Sequence, residues 1–409
     1  MAKKIKIIND PVHGFIQMPT GIGLDIVNHR WFQRLRNIKQ LGLAHYVYPG
    51  AMHTRFQHSL GAFFLTQEAI EVLRSKGIEI SDSEAEAVKL SILLHDIGHG
   101  PFSHTLEKVL LRDLHHEQIT YAFMNHLNRE YQGGLDKAID IIKNLYVKKF
   151  LHQLISSQLD MDRLDYLKRD SFFTGVSEGV IGTERIIKML TVSNDSLAVE
   201  EKGIYSIEKF LIARRLMYWQ VYLHKTVLAA ELMLLSIFKR VHYLFLQNNI
   251  TLPPVLYELW YNKIDYQELN VNVDWLNLFS QLDDAEIWVW IKSWSVSEDK
   301  VLSLLSSRFI ERKLFKVEIQ RQPHDNEKIN LYRKRIQHMF NFSEEESEYL
   351  VFSDSAQNHA YSIADNKINI LFKNGKLLDI SEASDILNIE VLSKNVVKYF
   401  MCFLPECIS

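Results

Sequence analysis

The chain has few cysteines, no strong charge of either sign and no long apolar run, and each absence removes a class of protein. Its two cysteines, Cys402 and Cys407, lie close together near the end of 409 residues, which excludes a disulfide framework. The lysine-rich start lacks the apolar segment of a secretory signal. The most apolar long stretch, residues 226–238, contains Glu231 and is too short to span a bilayer. The sequence therefore predicts a cytoplasmic protein without a membrane partner.

Composition is that of an ordinary globular protein. The net charge is −3 at pH 7, so the chain creates no global basic field, and nucleic acid is unlikely as its main partner. A locally basic pocket for an anionic small molecule is compatible with this balance. The length is sufficient for two or three domains around a large core.

The most informative stretch reads LLHDIGHGPFSH, from Leu93 to His104. It ends an apolar run with helical spacing, which Gly98, Gly100 and Pro101 interrupt just after a His-Asp pair. Adjacent helical residues point about 100° apart, so both members of the pair can reach one ion only near a helix end or beside a cleft. Because burying these polar groups without partners would be costly, we interpret the stretch as a metal site. Its candidate ligands are His95, Asp96, His99 and His104.

Polar faces on other predicted helices supply further candidates. Arg55 and His58 lie three positions apart, hence on one helical face. A second face, in SSQLDMDRLDYLKRD, could be a solvated surface, but leucines on the same helix place it beside the core. That face carries Asp162, Asp165, Tyr166 and Asp170. Mixed imidazole and carboxylate ligands fit Mn²⁺, Mg²⁺, Fe²⁺, Ni²⁺ or Zn²⁺, and the residue types do not choose among these ions.

A long helix is predicted from Ile207 to about Asn248. One face of it carries a cation, two aromatic rings and a second cation in turn, a spacing that suits an anion with a flat ring. The plainer interpretation is a core helix with a few surface charges. The residues on this face are Arg214, Tyr218, Tyr222 and Lys225.

The pattern of apolar residues predicts a mainly α protein with a smaller α+β C-terminal lobe. We assign residues 1–310 to a helical domain and residues 311–409 to the lobe, where alternating segments predict strands. Within the first domain the pattern predicts a short hairpin over residues 5–19 and a helix from Ile26 to Lys39. In the lobe it predicts helices at about 327–341 and 393–403.

Seven motifs occur in an order known from one family. They read INDPVHG, FQRLRNIKQLG, TRFQHSLG, LLHDIGHGPFSH, HHEQ, LDMDRLDYLKRD and YLHK. With them the chain resembles the HD-domain metal-dependent phosphohydrolases, and in particular the deoxynucleoside triphosphate (dNTP) triphosphohydrolases, over residues 5–240 and again at 311–316. The resemblance implies a helical HD-domain bundle, a divalent metal ion and a homo-oligomer, either dimer or tetramer.

The resemblance also implies a role for each matching position. The four metal ligands would be His58, His95, Asp96 and Asp162. The histidine that assists the leaving oxygen would be His104, in a cavity shared with His99 and His116, and Glu107 would orient a histidine. The groups that bind the triphosphate and the sugar would be Gln40, Arg55, Arg163, Tyr166, Asp170, Arg214 and Tyr222. A regulatory nucleotide would contact Lys6, Asp10, Gln33 and Arg36.

The function expected from these motifs is hydrolysis of dNTPs to deoxynucleoside and triphosphate. A first alternative is another HD-type enzyme, such as a nucleotidase or a phosphodiesterase. Such an enzyme would not need so many cations beside the metal. A second alternative is a non-catalytic nucleotide sensor with a structural ion, which would need neither the cavity histidines nor Glu107.

Overall fold

The computed structural model describes residues 6–102, 104–111, 114–262, 264–358, 367–385 and 396–408, except for the side chains of residues 104, 108, 357 and 358. Helices dominate these residues, which confirms the predicted mainly α class. The helices are α1 (Ile22–Asn28), α2 (Arg30–Gln33), α3 (Arg55–Ser75), α4 (Asp82–Leu94), α5 (His104–Leu110), α6 (His116–Glu130), α7 (Asp136–Ile142), α8 (Lys149–Gln153), α9 (Met161–Thr174), α10 (Thr183–Met189), α11 (Ile204–Met217), α12 (Lys225–Leu246), α13 (Pro254–Tyr261), α14 (Tyr266–Leu269), α15 (Val273–Phe279), α16 (Asp284–Trp294), α17 (Lys300–Ile310), α18 (Asn326–Phe340), α19 (Glu344–Glu348) and α20 (Ile380–Ala383).

Within the described ranges, the strands form three small sheets. β1 pairs with β2, the second sheet has the order β3-β4-β7-β8, and the third has the order β5-β9-β6. The strands are β1 (Ile7–Asp10), β2 (Gly14–Gln17), β3 (Leu190–Ser193), β4 (Ser196–Glu200), β5 (Lys316–Gln320), β6 (Val351–Asn358), β7 (Asn369–Leu371), β8 (Leu377–Asp379) and β9 (Val396–Phe403).

Three predicted helices differ from the structure. The helix expected from Ile26 to Lys39 is divided into α1, α2 and a 3₁₀ turn, because His29 has extended backbone and caps α2 by accepting from Trp31 N. The helix expected from Ile207 is divided into α11, a π-helix over Tyr218–Tyr222, and α12. Of the segment expected as a helix at 393–403, residues 396–403 instead form β9, the central strand of its sheet, which pairs with β5 and β6, and residues 393–395 lie outside the described residues.

The second sheet joins the two predicted domains. Its hairpin β3–β4 belongs to the helical part of the chain, and β7, from the C-terminal lobe, pairs in parallel with β4. Buried apolar side chains from both parts form one continuous core. The secondary structure changes near residue 310, but the core packing continues from one side of this position to the other.

Three helices form the framework for the polar residues singled out above. α3 packs against both α4 and α9, and its buried face includes Phe56, Leu60 and Phe63. The C-terminal end of α4 and the N-terminal end of α9 therefore lie beside the first turns of α3. No single helix among the described residues is long and apolar enough to cross a membrane; the bent pair Glu201–Tyr222 and Lys225–Leu246 passes that test only when taken together.

Candidate metal centre and nucleotide cavity

Two imidazoles and one carboxylate converge where α3, α4 and α9 meet. His58 lies in the first turn of α3, His95 directly follows α4, and Asp162 lies in the first turn of α9. The two Nε2 atoms are 3.3 Å apart. Asp162 Oδ1 lies 3.0 Å from Nε2 of His58 and 3.6 Å from Nε2 of His95. The structure thus brings together three of the four predicted ligands from three separate helices.

The outer nitrogen of each imidazole already has a partner. Nδ1 of His58 lies 2.7 Å from Asp165 Oδ2, and Nδ1 of His95 lies 2.6 Å from the carbonyl of Ile92. Since both partners are acceptors, each Nδ1 carries the proton and each Nε2 presents a lone pair. Two lone pairs and a carboxylate facing one point require a cation there, so the donor set fits a divalent metal ion.

The charges around His58 lead to the same conclusion. Burial lowers the pKa of His58, but hydrogen bonds to Asp162 and Asp165 outweigh it and raise the pKa to about 10. The surroundings therefore favour a positive charge at Nε2, which either a proton or a metal ion supplies.

Asp96, the fourth predicted ligand, lies beside these three ligands. Residues outside the group also contact its carboxylate. Its Oδ1 lies 3.3 Å from His95 Nε2 and 3.4 Å from His99 Nε2. Its Oδ2 accepts a short hydrogen bond from Arg55, which is buried. Arg55 therefore orients Asp96, and the pKa of Asp96 lies well below its usual range because Arg55 and the two histidines outweigh burial.

A buried network behind His58 was not predicted as part of the site. Asp165 accepts from His58, from His13 Nε2 at 2.6 Å, and from Arg169 at 2.9 and 3.0 Å. Arg169 also donates to Asp10, the last residue of β1, at 2.8 Å. This network fixes the orientation of a metal-binding imidazole. The sequence signal was present, because Asp165 and Arg169 lie three and seven residues after Asp162 on one face of α9.

Gly61 makes room for that network. A methyl group at this position of α3 would lie 2.0 Å from Asp165 Oδ1 and 2.2 Å from Arg169 Nη2. The close approach of α3 and α9 at the metal centre therefore requires glycine here.

A second group of side chains lies beside Asp96. Glu107 on α5 accepts from the backbone N–H of His116 at 3.1 Å and lies 3.0 Å from its Nδ1. The ring of His116 stacks on His99 at 4.0 Å between centroids. Among the described side chains, His116 is therefore a partner of Glu107, and the predicted role of Glu107 in orienting a histidine stays a prediction. His104 begins α5, and its side chain lies outside the described residues.

Burial and the charge of Arg55 hold the pKa of His99 well below its usual range. His99 is therefore neutral at pH 7. A methyl group at Gly98 would lie 2.2 Å from the carbonyl of His116 and 2.4 Å from the nitrogen of Thr120. Glycine at this position allows the loop after α4 to approach α6 closely enough for the two rings to stack.

A cavity of about 880 Å³ opens in front of the metal centre. Arg163, anchored by its Nε to the carbonyl of Ser157 at 2.7 Å, and Arg214, bound to Gln158 at 2.9 Å, line it as cations. The cavity wall contains all seven residues predicted to bind substrate, namely Gln40, Arg55, Arg163, Tyr166, Asp170, Arg214 and Tyr222.

Buried hydrogen bonds fix the cavity's polar wall. Tyr222, in the π-helix, donates to Asp170 at 2.6 Å, and His53 Nε2 lies 2.8 Å from the other oxygen of the same carboxylate. Gln40 Oε1 is buried and has no hydrogen-bond partner among the described residues. It is an acceptor available to a ligand. The sequence analysis did not select His53, whose place after a Pro-Gly turn gave no helical periodicity.

Two family models match the chain. One described as HD domain matches residues 55–170, and one described as HD associated region matches residues 181–250. The uncharacterized protein YwfO of Bacillus subtilis is 33% identical over 398 residues, which cover 93% of this chain and 88% of that protein. A phosphohydrolase from Bacteroides thetaiotaomicron with a known crystal structure is 53% identical, with a TM-score of 0.93 over 98% of this chain and 100% of that one. The chain belongs to the HD-domain phosphohydrolases.

Similarity to the vertebrate members of the family is more limited. The human deoxynucleoside triphosphate triphosphohydrolase SAMHD1 is 31% identical over 265 residues, 54% of this chain and 42% of that protein. HD phosphohydrolases bind a divalent metal ion, and the histidine and aspartate group described above is able to hold one.

The four residues predicted to bind an effector nucleotide do not share one environment in this HD phosphohydrolase. Lys6 is exposed. Asp10 is buried and paired with Arg169, so its carboxylate is engaged inside the protein. Gln33 accepts from Arg36 at 2.8 Å, and the Arg36 guanidinium lies 3.5 Å from the centre of the Phe56 ring. Binding of a nucleotide by these residues stays a prediction.

Proposed function

We propose that this HD phosphohydrolase hydrolyses dNTPs to deoxynucleoside and intact triphosphate. The observation that carries the proposal is that residues of the metal centre, three arginines and several neutral hydrogen-bonding groups line one cavity. A site for a monophosphate would not require cations extending away from the metal. The distant relatives named as dNTP triphosphohydrolases support the same substrate class.

The arginines provide for the triphosphate. Arg163 and Arg214 both line the cavity, and each donates to a neutral oxygen, the carbonyl of Ser157 or the amide of Gln158. Arg163 also forms an ion pair with Asp160, whose Oδ2 lies 3.3 Å from its Nε at the beginning of α9. Several cations are needed in such a site, because the charge of a triphosphate must be neutralised where water is excluded.

Other polar groups of the wall provide for the deoxyribose. Gln40 Oε1 can accept from the 3′-hydroxyl, and Tyr166 and Asp170 line the same wall. The Tyr222 ring is fixed through its bond to Asp170, at a place where it can pack against C2′. A hydroxyl added at C2′ would meet this ring, so ribonucleotides are expected to be poor substrates.

In the reaction, a water oxygen joins the α-phosphorus, the bond to O5′ breaks, and O5′ leaves with a proton. His58, His95, Asp96 and Asp162 would hold the divalent ion, which when bound polarises water and the phosphate. Arg55 keeps Asp96 ionised, and the neutral His99 and the Glu107–His116 pair border the reacting phosphate. We assign the proton for O5′ to His104, on the basis of its position in the family motif.

The test is incubation of purified protein with each dNTP and Mn²⁺ or Mg²⁺, followed by ion-exchange separation of the products. We expect deoxynucleoside and triphosphate, and at least a thousandfold slower release from Asp96→Ala, because loss of a metal ligand removes the main electrophile. A matched control is Asp299→Ala, which removes a half-buried aspartate that does not line the cavity. Release of pyrophosphate or single phosphate would instead indicate another nucleotide phosphohydrolase, and no turnover with GTP or dATP present would indicate a sensor.

We further propose that the protein acts in the cytoplasm as a homo-oligomer that a nucleotide effector can regulate. The support for assembly and regulation is the family resemblance. Light scattering with and without added nucleotides measures the oligomeric state directly.

A further inference from the structure

One acidic residue in the cavity has no part in the chemistry described so far. Glu231 lies on α12, near the first turn of the helix, and its half-buried side chain lines the cavity. Within the described ranges, the group that hydrogen-bonds to its carboxyl is Thr105, and no charged residue contributes to its pKa shift. A carboxyl group without a cation on an otherwise apolar wall is unusual.

The place of Glu231 along the cavity follows from its neighbours. Gln40 and Tyr222 mark the sugar position in the proposed function, and the next residue after each, Leu41 and Leu223, also lines the cavity. Leu41 packs against the small apolar cluster that contains Val227, and Glu231 lies one helical turn beyond Val227. We take this part of the wall as the continuation of the cavity beyond the sugar position.

The chemistry of this wall suits a flat ring. It is formed mainly by apolar groups, including Leu41, Ala44, Phe102 and Val227, with Glu231 and Thr105 as polar groups. Apolar surfaces with a small number of placed polar groups are typical of sites for aromatic ligands. Arg163 and Arg214 line the same cavity, and in the proposed function they bind the phosphates.

We propose that the Glu231 carboxyl recognises the nucleobase of the substrate by hydrogen bonding to its edge. The inference rests on the proposed function, because the sugar position orients the nucleotide in the cavity. It assigns to this chain a base-binding residue that the sequence motifs do not contain.

Protonation determines which edges the carboxyl can pair with. Burial raises the pKa of Glu231 to about 7, with the hydrogen bond from Thr105 opposing the shift. A protonated carboxyl offers one donor and one acceptor side by side. The pairing edge of each of the four bases also presents a donor beside an acceptor, so Glu231 can bind all four dNTPs. An ionised carboxylate would offer acceptors alone and would favour guanine.

The test compares dATP with the triphosphate of 2′-deoxyribosylpurine, which lacks the 6-amino group. In the wild type we expect kcat/KM for dATP to be about tenfold higher, the effect of one buried hydrogen bond. Glu231→Gln retains a donor and an acceptor and should keep this ratio. Glu231→Leu should reduce it to about one, and Glu231→Asp, which withdraws the carboxyl by one methylene, should reduce it as well. The control Glu117→Gln, in an acid elsewhere on the cavity wall, should not change it.

Equilibrium binding of both nucleotides in the presence of Ca²⁺ gives the same ratio without turnover. If the wild type releases triphosphate but the ratio is unchanged in Glu231→Leu and Glu231→Asp, the base-binding role is refuted while the proposed function stands. If both nucleotides lose affinity equally in these variants, Glu231 supports the shape of the cavity wall without contacting the base, and the proposal is wrong. If the wild type binds dNTPs with a base preference that depends on Glu231 but does not hydrolyse them, only the proposed function fails.

Discussion

Replacing Asp165 by asparagine tests whether the network behind His58 controls metal binding. Each carboxylate oxygen of Asp165 has two partners, and both oxygens face Arg169. One oxygen also faces His58 and the other faces His13. In either orientation, therefore, the amide –NH₂ of Asp165→Asn points at the guanidinium. It also faces an imidazole nitrogen that needs an acceptor.

Two consequences should follow, each with its own magnitude. Loss of one partner of a buried ion pair costs about 3–5 kcal/mol, so the free energy of unfolding should fall by about 3 kcal/mol after allowance for the retained hydrogen bonds. An amide beside Nδ1 no longer fixes the proton there, so the His58 imidazole no longer presents Nε2 reliably to the ion. Changes of this kind lower metal affinity about 10–100-fold.

The measurements are chemical denaturation of the metal-free protein and Mn²⁺ titration by calorimetry. Asp299→Asn is a matched control, since Asp299 forms a comparable two-point pair with Arg240 at 2.6 and 3.0 Å, away from the cavity. The control should lose stability but keep its Mn²⁺ affinity. Unchanged Mn²⁺ affinity in Asp165→Asn, or an equal loss in both variants, would refute the reasoning.

Three further predictions concern other parts of the molecule. Hydrogen bonds from a serine amide, a lysine and a tyrosine outweigh burial and lower the pKa of Glu84 from 4.5 to about 2. Glu84→Gln should therefore reduce the free energy of unfolding by about 2 kcal/mol at pH 7, and the difference from the wild type should shrink as the pH falls from 4.5 towards 2 in urea titrations. Gly98→Ala should reduce the free energy of unfolding by about 2 kcal/mol or more and slow turnover, because its methyl group would clash with α6. At Gly100 the nearest atom to an added methyl group is 3.7 Å away, so Gly100→Ala should leave the melting temperature unchanged in thermal melts. Tyr222→Phe should keep discrimination against ribonucleotides in competition assays, and Tyr222→Ala should lose it, since the ring and not the hydroxyl meets C2′; equal ratios in both variants would contradict this role.

Local sequence determined the elements with strong local signals. In the hairpin β3–β4, Asn194 and Asp195 are residue types that tolerate a positive φ, and they adopt the values, 50° and 58°, that its two-residue turn requires. The end of α4 before His95 was evident from the glycines that follow. In contrast, β9 contains apolar and aromatic residues that fit a helix or a strand, and its pairing with β5 and β6 decided the outcome.

The sequence by itself determined the ligand types, their order and the family, because motifs such as His95-Asp96 are local and chemically unusual. Only the tertiary structure decided which atoms converge. Asp165 could be recognised as the partner of His58 only once α3 and α9 were packed at Gly61. The position of Glu231 likewise depends on how α12 begins after the π-helix. Both facts depend on contacts between residues far apart in the chain, and these contacts leave no periodic signal in either segment alone.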